Sequence, residues 1–180
     1  MLTANHYRWH AALREIFDTA VARYRAGERN AATFFNTGQL AFLASIGHTA
    51  QELFDFAEDH VKNDGDPDWE TTLLVASVRR DYFLNVQRGV LSGRVISMDD
   101  LPAKADELDG IPWLRRLIAK AHAKLRGEMP ADLMYGCGGD RRFLQEYDLH
   151  PAEFLREVWA TEGNEKKLLA YVKAAGGKSR

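Results

Sequence analysis

"WETTLLVASVRRDYFLNVQR", residues 69–88, is the stretch on which the fold class turns. Its apolar residues Trp69, Leu73, Leu74, Val75, Ala76, Val78, Tyr82, Phe83, Leu84 and Val86 do not alternate as in a strand, and on a helical wheel they cover most directions. That pattern predicts a helix buried on most sides. Upstream, "DGDPDW" at residues 64–69 supplies turn chemistry and places Asp68 as N-cap.

The neighbouring segments are helical too. Trp9, Leu13, Ile16, Phe17, Ala20, Val21 and Tyr24 form one helical face over residues 4–26, which Gly27 ends. "AATFFNTGQLAFLASIG", residues 31–47, reads as one or two short helices, and Thr49 with Glu52 makes a capping box for a helix over 50–62. Residues 89–111 break the pattern; Val90, Leu91, Val95 and Ile96 fit a short strand pair or an ordered loop equally well. Beyond them, Pro112 opens a helix over 113–126, His150-Pro151 starts another, and Asn164 caps the last. The expected fold is all-α: a single cooperative domain around the 69–88 helix, with 1–111 as an N-terminal part and 112–180 as a small C-terminal helical part.

Composition narrows the function classes. Over 180 residues, 46% hydrophobic and 28% charged with 11% aromatic is the make-up of a folded globular chain. A net charge of -2 gives no basic coat for nucleic acid, and the one helix-turn-helix-like corner, in "GQLAFLASIGHTAQELFDFAEDHV", would read DNA with an acidic helix, so no nucleic-acid partner is expected. No apolar run reaches the roughly 20 residues of a membrane span, and the N-terminus lacks the order of a signal peptide. A single cysteine, Cys137, forms no internal disulfide. These features predict a cytoplasmic protein without membrane partners.

The densest chemistry lies in "DLMYGCGGDRRF", residues 132–143. Gly138 and Gly139 suit a turn, Asp140 suits the N-cap of a helix starting at Arg141, and exposed backbone N–H groups beside Arg141 and Arg142 would make a cradle for a carboxylate or phosphate. Cys137, just before the helix start, is a candidate nucleophile, with Glu58 or His122 as proton carriers. On the 69–88 helix, Arg80 falls among apolar positions, with Arg79 on another face; either Arg80 or Arg79 pairs with a carboxylate such as Asp55, Glu58 or Asp81, or Arg80 clamps an anion together with the glycine turn, where Tyr82 or Tyr135 could complete the pocket. Glu52, Asp55 and Asp59 share a helix face that points away from Leu53, Phe54, Ala57 and Val61; the cap explains Glu52, and solvent explains the other two.

Further along the family of patterns, "PWLRRLIAKAHAKLRGEMPADLMYGCGGDRRF" followed by "HPAEFLREVW" resembles a bacterial family known as domain of unknown function 5069. "AFLASIGHTAQELFDF" and "RRDYFLNVQRGVLSGR" look like parts of a longer version of it. The resemblance implies a bacterial, mostly helical protein and carries no reaction or cofactor with it.

Three functional expectations follow from the residues. The first is a small anionic or polar molecule held at the Cys137–Arg142 turn by Arg80, Tyr135, Gly138, Gly139, Arg141 and Arg142, with or without a reaction. The second is a non-catalytic interaction module: helix 113–126 carries Arg115, Arg116, Lys120, Lys124 and Arg126 around an apolar stripe, a solvated basic face suited to an acidic partner or a second copy of the chain. The third is a metal-dependent helical enzyme, with His6 and His10 at i and i+4 on the first helix and at least one further ligand, such as His60, His122 or a carboxylate. No H-E-x-x-H pattern accompanies them.

Overall fold

The computed structural model describes residues 6–176. It is mostly helical, as the periodicity predicts, and divides into two compact units, Met1–Leu91 and Ser92–Arg180. The expected start of the first helix at residues 4 and 5 and the last four residues of the chain lie outside the described part.

In the first unit, α1 (Trp9–Arg25) buries Leu13, Ile16, Phe17, Ala20, Val21 and Tyr24. This stripe packs against Leu53, Phe54, Phe56 and Ala57 of α3 (Ala50–Lys62). Edge-to-face contacts of the Phe54 ring with Tyr24 and Phe34, at centroid separations of 5.8 and 4.9 Å, fix the seam. Between them lie a 3₁₀ turn (Ala31–Thr33) and α2 (Thr37–Ser45), which an Asn36/Gln39 capping box starts. The expected Thr49/Glu52 box opens α3, and Asp68 accepts from Thr71 N–H to open α4 (Trp69–Asn85). Gly47 sits at φ +77°, and a Cβ there would lie 2.5 Å from Phe83 Cγ, so the α2–α3 corner requires glycine for both conformation and space.

One reading of this unit is corrected. α4 is not buried on all sides: Thr72, Val75, Ala76, Val78, Arg79 and Phe83 turn inward, while Leu74 stays 44% and Val86 47% exposed. Apolar residues occupy surface positions often enough that a full wheel does not prove a buried one. Glu52 serves the cap as expected, and doing so buries it: its carboxylate turns back onto Thr49 N–H and lies 3.7 Å from His48 Nδ1.

The second unit begins with extended chain in which Val90's successors Val95 and Met98 are exposed, then a 3₁₀ turn (Met98–Asp100). The strand pair forms later than Val95 and Ile96 would place it. β1 (Glu107–Leu108) pairs antiparallel with β2 (Ile111–Pro112) across Asp109-Gly110, both at positive φ, the backbone a two-residue hairpin needs. Pro112 therefore ends a strand instead of opening a helix; α5 (Leu114–Arg126) starts after Trp113, which is held left-handed at φ 70°. α6 (Gly138–Glu146), α7 (Pro151–Ala160) and α8 (Glu165–Gly176) complete the unit, with His150 capping α7 and Asn164 accepting from Lys167 N–H at the start of α8. α5 packs on α7 through Leu114, Leu117, Ala121 and Leu125 against Phe154, Leu155 and Val158. The expectation of a solvated basic helix is corrected here: Lys120 and Lys124 are each only 2% exposed.

Candidate functional site

The glycine-rich stretch of residues 132–143 folds around a carboxylate. α6 begins at Gly138, with Cys137 as N-cap, so Asp140 is the third residue of the helix and not its cap. Its carboxylate suits the positive end of the helix, and Oδ2 reaches back to accept the Gly136 N–H at 2.9 Å. The same oxygen pairs with the Lys120 ammonium, and Oδ1 accepts the Trp113 indole N–H at 3.0 Å. Asp140 is 0% exposed and Lys120 2%. Two charges removed from water are tolerated only when paired and hydrogen-bonded, and this pair has both conditions met.

Around that pair the turn is closed. Arg141 is buried and donates Nη1–H to Gly136 O at 2.6 Å; Tyr135, completely buried, donates its hydroxyl to Pro151 O at 2.7 Å. Burial, reinforced by the nearby Asp140 charge, pushes the Tyr135 phenol well above its ordinary range. Lys120 Nζ lies 3.4 Å from Cys137 Sγ, and Cys137 itself is half-buried. Arg141 and Tyr135, both expected to touch a ligand, are thus spent on holding the corner.

Outside the corner the structure opens a cleft of about 380 Å³. One wall is a single stripe of α6: Gly139, Arg142, Phe143, Glu146 and Tyr147, at i, i+3, i+4, i+7 and i+8. Trp113 and Lys104 form the facing side, with the Lys104 ammonium 5.7 Å from the Trp113 ring centroid. The Phe143 and Tyr147 rings lie 4.9 Å apart, tilted by 34°. Gly139 is required for space and not for conformation: a Cβ there would stand 2.9 Å from Trp113 Cζ2. Gly138 and Gly139 are both helical, whereas Gly136 takes the positive φ of 79° that the turn needs.

Arg142 is the one expected ligand-binding side chain that reaches this cleft together with a glycine of the turn. Lys104, Trp113, Phe143, Glu146 and Tyr147 were not anticipated, although the i, i+3, i+4, i+7, i+8 spacing from Gly139 was present in the sequence as a mixed aromatic and charged stripe. Arg80 belongs to the first unit, where its guanidinium lies 5.0 Å from the Trp9 ring centroid, donates to His6 Nδ1 at 2.7 Å and approaches Asp81 at 3.6 Å. The arginine fully buried on α4 is instead its neighbour Arg79.

The proposed proton carriers belong to different units. Glu58, in the first unit, accepts from Tyr24 Oη at 2.7 Å and Lys62 Nζ at 2.8 Å. Partial burial raises its pKa, but these hydrogen bonds outweigh it and leave the carboxyl below its usual range. His122 follows Lys120 by two residues on α5, roughly 200° round the helix, and so faces away from the Lys120–Cys137 contact. It lines a separate cleft of about 240 Å³ with Arg115, Thr161 and Glu165. Burial, and secondarily the Arg126 charge, lowers its pKa, so the imidazole is neutral at pH 7.

The metal ligands do not assemble as expected. His6 precedes α1, so His6 and His10 share no helical face; His10 is exposed against the edge of Trp9, and His60 Nδ1 bonds to Pro67 O at 2.9 Å. Among the described residues, no group of three or more His, Cys, Asp or Glu side chains could hold a metal ion. Among them, too, no helix is long and apolar enough to cross a membrane.

The second unit is therefore a small helical domain with a charged, aromatic-walled cleft beside a locked glycine corner. Residues 99–180 match the family described as domain of unknown function (DUF5069). The match lies wholly within the second unit and includes Asp140, Lys120 and the whole cleft. No curated protein and no solved structure matches the chain.

Proposed function

We propose that the second unit binds a small anionic molecule in the cleft between the α6 stripe and Trp113. One observation carries this reading: Arg142 and Lys104 both stand at the cleft and, among the described residues, neither forms an ion pair. Cations left unneutralised beside three aromatic rings, in a volume within the usual 300–1,000 Å³ of ligand sites, suit an anion with an apolar body. The buried Asp140–Lys120 pair makes no direct contact with such a ligand; it fixes Trp113 through the indole N–H and so shapes the wall.

The interaction-module alternative has less to work with, since two of the five cations assigned to the α5 surface point inward. The setting attached to the binding reading is the cytoplasm of a bacterial cell, where Cys137 stays reduced. Native mass spectrometry of freshly purified protein tests the reading, alongside titration with inorganic phosphate followed by the backbone amide signals of α6. A non-covalent mass absent from Arg142→Ala, or phosphate-induced shifts in Gly139 and Arg142 absent from that variant, is expected. Unliganded protein with unmoved α6 signals would overturn it.

A further inference from the structure

Resting on the binding reading above, we infer that the cleft's ligand is a nucleoside monophosphate whose base carries an exocyclic amino group. Each wall of the cleft matches a part of such a ligand. Trp113 and Tyr147, both partly exposed beside the buried Phe143, offer aromatic surface, which a planar ring covers at little cost in conformational entropy and a sugar alone does not. Lys104 and Arg142 offer two positive charges, and Arg142's planar fork is shaped for a phosphate.

Glu146 decides among anionic rings. It lies four residues after Arg142 on α6, the spacing at which opposite charges ordinarily pair, yet among the described residues neither forms an ion pair. A carboxylate facing the cleft accepts hydrogen bonds and donates none. A simple aromatic acid would bring it only a second negative charge; an amino-bearing base brings it N–H donors while its phosphate remains with the cations. The volume of about 380 Å³ lies near the lower end of the range for ligand sites, which suits one nucleotide and not a dinucleotide.

The test uses the full chain, with the four tryptophan indole N–H signals and the α6 amides assigned by triple-resonance NMR. Three probes are titrated to millimolar concentration: adenosine 5′-monophosphate, adenosine, and ribose 5-phosphate. The monophosphate is expected to move the Trp113 indole signal and to bind at least about tenfold more tightly than either half, the scale of one well-placed charged contact. Arg142→Ala should bring its affinity down to about that of adenosine. Because Arg142 is exposed, the variant keeps its fold, which its own spectrum verifies.

If ribose 5-phosphate binds as well as the nucleotide, the ring contributes nothing; the nucleotide inference falls while the anion reading stands. If adenosine binds as well as the nucleotide, the phosphate contributes nothing, and the inference falls again. If no probe, nor inorganic phosphate, moves Trp113 or α6, both the inference and the reading beneath it are wrong.

Discussion

α4 and α5 each bury a cation, and they treat it differently. On α4, Arg79 is 0% exposed; it donates Nη1–H to Gln87 Oε1 at 2.7 Å, while Nε and Nη2 have no hydrogen-bond partner among the described residues. Burial lowers its pKa against the opposing pull of Glu52 and Tyr82. On α5, Lys120 sits directly against Asp140, which is itself bonded by Trp113 and Gly136. The first cation is accommodated by a polar amide and a Phe83 ring 5.4 Å away; the second is part of a closed network. A buried charge is thus held in two ways, and only the network is expected to be indispensable.

Removing a member of the network should give the largest effect. Asp140→Ala leaves the Lys120 ammonium buried without a counter-charge and strips an acceptor from two N–H groups, which should cost about 3–5 kcal/mol in unfolding free energy. Urea denaturation measures this, and the double variant Lys120→Met/Asp140→Leu should recover a large part of the loss. A cost within about 0.5 kcal/mol for the single variant would mean that the pair does not hold the corner, and would erase the contrast with α4.

Next in size is Gly47→Ala. Its Cβ would meet Phe83 at 2.5 Å from a left-handed backbone, so overpacking and conformational strain add to about 2–4 kcal/mol. Gly139→Ala meets the Trp113 ring at 2.9 Å but from an ordinary helical backbone, and should cost less, about 1–2 kcal/mol. Thermal melting of the two variants, compared at equal concentration, orders them; equal losses would show that backbone conformation contributes nothing at residue 47.

Arg79→Met should change stability by less than about 1 kcal/mol, in either direction, because it removes a guanidinium with unmet hydrogen-bonding groups and keeps most of the side-chain volume. A loss comparable to that of Asp140→Ala would break the comparison from the other side, by assigning Arg79 a partner as strong as Lys120 has.

These two helices also mark how far the sequence could be read. The caps were legible, Thr49/Glu52, Asp68, His150 and Asn164 among them, because a cap depends on residues within one turn of each other. Which cation would be buried was not legible. Arg80 fell among apolar wheel positions but lies beside Trp9, and Lys120 had every mark of a surface lysine. Its partner lies 20 residues further on, beyond any helical period. The cleft shows the same division: Gly139, Arg142, Phe143, Glu146 and Tyr147 were a readable stripe, whereas Trp113 and Lys104 join it only through the hairpin and the left-handed turn that precede α5.

The smallest effect separates the clefts within the second unit. His122 is an ordinary half-buried histidine by composition, but its pKa is lowered by burial and then by Arg126, so the folded protein holds the neutral imidazole more strongly than the unfolded chain does. Between the folded pKa and the unfolded value of 6.5, the unfolded chain binds more protons, and stability must rise with pH. The contribution is fully present above 6.5 and is lost as pH falls through the lowered folded value. Urea midpoints at pH 7.5, 6.5 and 5.5 should therefore decline on acidification by a modest amount that His122→Gln removes. The decline should be the same in Arg142→Ala, because Arg142 lines the other cleft. An identical pH slope in the wild-type chain and in His122→Gln would mean that the imidazole is as well solvated folded as unfolded, and the cleft it lines would then be a shallow surface feature without a buried histidine at its wall.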